Sequence, residues 1–598
     1  MLLSTIAIAA LLHTAGTPDT LRTASVTARR PVAVSRTDTV SINGRNTVND
    51  VLGTVPGITI GDNGGYAGLK TVALRGLGSA QTAIFVDGMQ VRNLQSGQTD
   101  LGMLQMESFS EAAVDYARNR VEFRTGRPAF GQNRAGGSIR LQGGSFGSFK
   151  PQGRMDLALS RRTALSASAG GVLGRGDFPY GDGLKRNNND IRRLQGGIDL
   201  WSDFDGGECH AKAYANSSRR GVPGSVLWPS SDRQEDLDAF LQCTVRRQFT
   251  GRYLMGAGAR CSIDDIRYIS GASESRYREM GLQLNSIHHL KLRPWLDAAL
   301  EARLGYDKLE ASDFDASRLS FKASAGGGAE LERLTADITL EYSLDADRGG
   351  NTLQSLSPAA SLRVSAAEGL DIAAFARRAF RAPTFNELYY PGFGNPDLRP
   401  EDALLADIGV EWHSGSRPGI KLDAKAYYFH NHLKDKIISS PSEADPYLWL
   451  PYNIGKVEVN GADLKASARM QRGLVDAAFS AAYCFQDARD RTGGSASYGE
   501  QIPFVARHSL CLCASGKLKG WSLDAVWKLL RGRRDSSGSL PDCNTLDLTA
   551  GKEIHAGRCV LLSIRLTARN LTGCRYELAA GYPMPGRSLE GSMELKFK

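Results

Sequence analysis

The sequence predicts an all-β membrane protein, an antiparallel transmembrane barrel of about 22 strands with a smaller N-terminal α+β domain in its lumen. Three observations predict it. From about Ser138 to the end, polar and apolar residues alternate in about 22 segments, inside the even-numbered range of outer-membrane barrels. Short connections alternate with long polar ones, as periplasmic turns do with extracellular loops in an up-and-down barrel. A barrel of about 22 strands encloses a lumen wide enough for a separate domain, and residues 45–141 form a compact, Gly-punctuated one.

Composition supports this class. Apolar residues make up 41% of the 598 residues and the mean hydropathy is −0.29. No uninterrupted apolar run beyond the N-terminus reaches the roughly 18 residues of a spanning helix. The one long run, Met1 to Leu12, resembles a secretory signal, with an h-region over Ile6, Ala7, Ile8, Ala9 and Ala10 and small residues Ala15 and Gly16 for cleavage, though no Lys or Arg precedes it. Residues 1–16 are therefore expected to be a signal peptide. The 73 basic and 64 acidic residues leave a charge of +9. Basic residues fall singly along strands and no nucleic-acid motif is present, so nucleic acid is not an expected partner. The nine cysteines are odd in number and lack a tight framework. Cys511 and Cys513 stand two apart on one strand face, a poor geometry for a disulfide. Most of the cysteines read as small hydrophobes.

In chain order, Pro18 to Arg36 is polar and extended, so residues 17–36 form an extended leading segment, or a disordered linker, holding Leu21-Arg22-Thr23-Ala24-Ser25-Val26-Thr27-Ala28. Asn49-Asp50-Val51-Leu52 suits the start of a short helix capped by Asn or Asp, and Val55-Pro56-Gly57-Ile58 stops it. Short strands follow around 58–60, 72–74, 83–86 and 120–124. The stretch Leu74 to Gly88 is the centre of this domain, a strand ending in the turn dipeptide Asp87-Gly88. Paired glycines in Ala135-Gly136-Gly137-Ser138-Ile139 allow a tight turn that closes it. The domain is set at 37–141 and the barrel at 142–598.

Along the barrel, Arg161-Arg162, 250–252, 291–295 and 471–472 read as short turns. The stretches 176–190, 219–235, 382–402, 487–500 and 572–586 read as long loops. Thr335 to Tyr342 alternates polar with apolar, one face for lipid and the other for a wet lumen. So many strands within lipid must close on themselves, because the bilayer hydrogen-bonds no free edge. A propeller would show a repeat of fixed length, and none is found. Asp177, Asp182 and Asp190, with the asparagines before Asp190, could hold Ca²⁺ in a surface loop, although the spacing is not that of an EF-hand. No P-loop, nucleophile elbow or HExxH motif appears, which points away from an enzyme and from any other cofactor.

The order of these motifs resembles the TonB-dependent outer-membrane receptors. It runs from a short box through Val55-Pro56-Gly57-Ile58, Leu74-Arg75-Gly76, Val86-Asp87-Gly88 and Arg120-Val121-Glu122-Phe123. Downstream come Phe380-Arg381-Ala382-Pro383-Thr384-Phe385-Asn386-Glu387-Leu388-Tyr389-Tyr390, Gly394-Asn395-Pro396-Asp397-Leu398-Arg399-Pro400-Glu401, and Asn570-Leu571-Thr572. Gly221-Val222-Pro223-Gly224 and Tyr390 to Pro396 look most like the vitamin B12 (BtuB-type) receptors, with ferric siderophore receptors close behind. The box departs from the family in Arg22 and Ala24, and the final Phe597 is followed by Lys598.

The resemblance implies a monomeric outer-membrane barrel in contact with lipid, energised by TonB and its inner-membrane complex. TonB would pair with the box at Leu21, Ser25, Val26, Thr27 and Ala28. Arg75, Gly76, Asp87 and Gly88 would form the plug core and its lock to the wall, with Glu279 and Glu301 as candidate partners of Arg75. Ligand would meet Gln90, Arg92, Asn93, Gln95, Ser96 and Gln98, covered from above by Tyr389, Tyr390, Phe393 and Trp449. Active uptake of cobalamin or another corrinoid is the implied function, with a ferric siderophore as the alternative and a porin or surface adhesin as a third reading.

Overall fold

The computed structural model describes residues 36–597, apart from 43, 46, 131–133, 182, 351, 416–418, 442–448, 536–537, 558 and 580. The expected signal peptide and box, including Leu21, Ser25, Val26, Thr27 and Ala28, lie outside the described residues. Twenty-two antiparallel strands close into one barrel, the final strand Ser588–Phe597 pairing with the first, Ala135–Gly144. Each wall strand otherwise pairs with its neighbours in sequence. No helix among the described residues is long and apolar enough to cross a membrane. Ile338 and Leu340 are exposed on the outer face, whereas Asp337, Thr339 and Glu341 from the same strand line the lumen. The period-two alternation thus places lipid and water on opposite faces of one ribbon.

Two boundaries differ from the expectation. The wall starts at Ala135, not after 141. Its paired glycines lie in an extended strand instead of a turn: a Cβ on Gly137 would stand 2.5 Å from the Arg154 carbonyl and 2.7 Å from the Phe597 ring, so the glycine admits the seam between first and last strands. The stretch 219–235 is mostly wall. Strands Gly207–Gly224 and Pro229–Thr250 leave only 225–228 between them, and Arg219 meets Glu235 at 3.1 Å across the ladder. Cross-strand ion pairs prolong the sheet with a composition that reads as loop.

Inside the lumen, strands β1 (Thr37–Ser41), β2 (Ile58–Asp62), β3 (Lys70–Leu74), β4 (Ala83–Val86), β5 (Met89–Val91), β6 (Phe109–Asp115) and β7 (Arg120–Thr125) build the plug. Its sheet has the order β1-β6-β7-β4-β5, β4 and β7 running parallel, and β2 and β3 form a separate hairpin. Helix α1 (Val48–Val51) is capped by Thr47, whose Oγ1 accepts from the Asp50 amide at 3.1 Å; neither Asn49 nor Asp50 is the cap. The plug core of Val51, Leu52, Leu74, Val86, Val114 and Phe123 runs on into wall residues Phe375, Leu405, Phe429, Leu433, Val457 and Val459. The plug does not own a separate core. The same apolar contact borders a cavity, which Phe375 and Leu405 also line.

Candidate functional site: the plug lock and the lumen cavity

The turn after β3 sets the first half of the site. Arg75 (φ 47°) and Gly76 (φ 74°) are both left-handed, which swings the Arg75 side chain out of the sheet toward the wall. Arg75 Nη2 donates to Asp463 Oδ2 at 2.9 Å and Nη1 to Asp407 Oδ2 at 3.1 Å. Asn431 Nδ2 donates to the Arg75 carbonyl at 2.9 Å, and the Arg75 amide to the Gly57 carbonyl at 2.7 Å. The close fit explains two glycines. Gly57 has φ +73° and a Cβ there would stand 3.0 Å from Arg75 Cγ; Gly76 has φ +74° and its Cβ would stand 2.8 Å from Val459 Cγ2.

A second arginine enters the same pair of aspartates. Arg36, only 2% exposed, places Nη1 3.1 Å from Asp463 and 3.6 Å from Asp407. Its guanidinium lies 4.2 Å from the Tyr116 ring and 4.0 Å from Tyr427, while that of Arg75 lies 4.3 Å from Tyr116 and 4.2 Å from Phe429. Tyr116 is therefore shared by both cations, and each cation also meets one wall aromatic. Cation–π contacts of this desolvated kind contribute about 2 kcal/mol. The plug's Asp38 reverses the charge pattern, meeting wall Lys465 at 3.2 Å and Lys425 at 3.8 Å. Burial works against the Arg36 charge, but Asp463, Asp38 and Asp407 outweigh it and hold the guanidinium above its ordinary range. Burial likewise opposes the Asp38 carboxylate, and Lys465, Arg36 and Lys425 hold it below the usual range.

The lock thus differs from the expectation in its partners. Glu279 instead accepts from the Leu94 amide at 3.0 Å, and Glu301 lies 2.5 Å from Arg303. Arg36, the last residue of the extended leading segment, is a buried anchor. Asp87 and Gly88 (φ 49° and 85°) make the β4–β5 hairpin turn, and Asp87 Oδ1 accepts from the Thr125 amide at 2.6 Å. Further polar ties ring the plug: Arg569 to Asp50 at 2.8 Å, Arg220 to Asp100 at 3.0 Å, and Gln81 to Glu401 at 2.6 Å. Burial disfavours the Asp50 carboxylate, but Arg569 holds it well below the usual range.

The second half of the site is a cavity of about 350 Å³ between the plug and the wall strands from Ser273–Arg293 to Glu401–His413. It extends from the loop at 93–97 to the turn at 117–120, and is lined by Phe85 on the plug and by Arg303, Lys322, Glu341 and Arg377 on the wall, the Arg303 guanidinium lying 5.6 Å from the Phe85 ring. Of the expected ligand residues, Gln90, Arg92 and Asn93 line it, and Arg92 is held by Asp307 at 2.9 Å. Gln95, Ser96 and Gln98 do not line it. Ser96 bonds back to Asn93, and the Gln95 carbonyl accepts from the Asn386 amide at 3.0 Å. Tyr389 donates to Asp347 at 2.7 Å and Tyr390 packs edge-on to Phe314, both away from the cavity.

Of the expected Ca²⁺ residues, Asp177 and Asp190 each stand beside an arginine. Arg233 engages Asp190 at 2.6 Å, Asp177 lies 3.8 Å from Arg175, and Asp182 is outside the described residues. Among the described residues Asp87, Asp199 and His210 are grouped closely enough for a metal. Lys212 Nζ stands 3.0 Å from Asp199 and 3.8 Å from Asp87, and supplies the positive charge there.

This architecture agrees with two family models. The TonB dependent receptor-like β-barrel matches residues 92–571 and the TonB-dependent Receptor Plug Domain matches residues 25–129. The chain belongs to the TonB-dependent receptors. It is an outer-membrane, multi-pass β-barrel transporter of that family. Vitamin B12 transporter BtuB of Vibrio vulnificus (strain YJ016) is 23% identical over 84% of this chain and 82% of its own. That of Vibrio cholerae serotype O1 (strain M66-2) is 23% identical over 91% and 88%. The siderophore receptor PirA from Acinetobacter baumannii shares the fold, with a TM-score of 0.76 at 12% identity over 94% of this receptor and 98% of its own chain.

Proposed function

We propose that this receptor takes up cobalamin or a related corrinoid, using work delivered by TonB. The observation that carries this reading is the likeness to the two BtuB relatives over 84% and 91% of this chain, which takes in parts of plug and barrel alike. The cavity is chemically suited to such a cargo. Its plug side offers the amides of Gln90 and Asn93, and a corrinoid presents a rim of carboxamides that pair with amide groups. No ATP is available at an outer membrane, so TonB must pull on an extended segment. Strand addition to residues 21–28 needs only a free backbone. We assign transport, with no catalytic step, to a single chain.

A ferric siderophore is the second reading, favoured by the cationic groups Arg118, Arg303, Lys322 and Arg377 along the cavity, which suit an anionic chelate. Titrating the purified receptor with cyanocobalamin and with a panel of ferric siderophores separates the two. Saturable corrinoid binding supports the first. Chelate binding with no corrinoid binding replaces it with the second.

A further inference from the structure

Two thiols lie close together at the outer side of the last wall strands. Cys543 opens the strand Cys543–Ala556 and is 2% exposed; Cys574 lies in the long connection to the closing strand Ser588–Phe597. The strand Val560–Arg569 pairs with Cys543–Ala556 as far as Leu548 opposite Ala568. Hydrogen bonding continues past that point. The Leu571 amide donates to the Leu546 carbonyl at 2.8 Å and the Thr572 hydroxyl to the Asn544 carbonyl at 2.5 Å.

This continuation lays Cys574 over Cys543. Cys574 Sγ accepts from the Asn544 amide at 3.4 Å and stands 3.8 Å from the Asp542 carbonyl, the peptide groups on either side of Cys543. Asn570 fixes the turn that holds Cys574, its Nδ2 donating to the Cys574 carbonyl at 2.9 Å and its Oδ1 accepting from the Cys574 amide at 3.0 Å. Arg533 ties the neighbouring connection to the same place, donating to the carbonyls of Pro541 and Glu577.

The other close thiols are placed differently. Cys511 and Cys513 stand two apart in one strand, about 6.7 Å between Cα atoms, at the limit for a bridge. Cys209 faces Val245, two residues along from Cys243, and such diagonal positions lie about 7–8 Å apart, a span that a bridge would have to shorten by moving the backbone even though the sulfurs stand 3.6 Å apart, as those of Cys511 and Cys513 stand 3.7 Å apart. Cys543 and Cys574 sit at the outer end of the barrel, and like every thiol of the chain they pass through an oxidising compartment.

We propose that Cys543 and Cys574 are joined by a disulfide that fastens the connection at 570–587 over the plug. In forming it, each thiol gives up its proton, the pair gives up two electrons, and one S–S bond replaces two S–H bonds. The oxidant is a protein disulfide of an extracytoplasmic thiol oxidase, which is reduced to its dithiol by exchange. The fastened segment lies directly on the plug: a Cβ on Gly64 would stand 2.8 Å from the Pro583 carbonyl. The Val226 amide also donates to the Gly581 carbonyl at 2.8 Å, drawing in a second connection. A covalent tie keeps this outer cover in register while the plug beneath it is pulled. The proposal does not depend on which cargo is carried.

The test uses outer membranes prepared without reductant, quenched in acid, denatured in SDS and alkylated with N-ethylmaleimide before digestion and mass spectrometry. The expected result is a Cys543–Cys574 linked peptide released by a phosphine reductant, with the exposed Cys559 alkylated throughout. Maleimide on both Cys543 and Cys574 in the unreduced sample would overturn the bond. The fastening role is read separately by limited proteolysis of intact receptor. Reduction of the wild type and the double substitution Cys543→Ser, Cys574→Ser should raise cleavage within 575–587 to the same extent, reduction having no added effect on the variant. Equal cleavage of reduced and unreduced wild type would overturn that role.

Discussion

Arg75 and Asp463 stand 388 residues apart in sequence, yet Nη2 and Oδ2 meet at 2.9 Å in a fully buried contact. Ion pairs so deep contribute little net stability, because desolvation offsets attraction, but removing one partner leaves an uncompensated charge costing about 3–5 kcal/mol. A lock of this kind holds firmly when intact and gives way when one member leaves.

Arg75→Ala is therefore expected to lower amide hydrogen-exchange protection of β3 and the α1 segment, with the barrel strands unaffected. Unchanged plug protection would remove the locking role from Arg75. Arg36→Ala should weaken the same elements, since the two cations share Asp407, Asp463 and the Tyr116 ring.

Gly76→Ala tests the turn. Its positive φ and the 2.8 Å approach to Val459 predict a loss of about 1–3 kcal/mol in plug stability. Gly78→Ala, where nothing lies within 4 Å of the added atom, should stay within about 0.5 kcal/mol of wild type. Equal effects of the two substitutions on plug unfolding would contradict the close packing described for Gly76.

Asp50 gives a pH test. Its carboxyl is held below the usual range by Arg569 against the opposing effect of burial. A depressed folded value means the tie contributes fully above the unfolded value of about 3.9 and is lost as pH falls toward the folded one. The stability difference between wild type and Asp50→Asn should be constant from about pH 7 to 5 and shrink below about pH 4. A difference that grows on acidification would reverse the sign of the assignment.

Much of this arrangement is legible in sequence and some is not. Alternation such as Thr335 to Tyr342 marks the wall because lipid and water impose period two, and the Val-Pro-Gly and Leu-Arg-Gly turns announce themselves through glycines that only a left-handed backbone requires. The partners of Arg75 stay hidden, since which wall carboxylate it meets depends on barrel register and plug orientation. Arg36 reads as linker by its polar neighbours, and its burial is imposed by Tyr116 and Tyr427 from elsewhere in the chain. Asp407 leaves one trace, an acid within the apolar run Leu404-Leu405-Ala406-Asp407-Ile408.

Cavity chemistry predicts which ligand contacts matter. Gln90→Ala should raise the Kd for cargo about two- to tenfold, the loss of one hydrogen bond. Gln98→Ala, off the cavity, should leave it unchanged. Calorimetry on the two purified variants decides; the reverse ranking would place the ligand elsewhere.

The most direct test of TonB-driven corrinoid uptake is to measure radiolabelled cyanocobalamin binding and accumulation side by side in cells carrying wild type or Val26→Pro, which fixes φ and removes a backbone donor from the box. Surface binding should equal that of wild type and accumulation should be lost. Undiminished accumulation in the variant would contradict it.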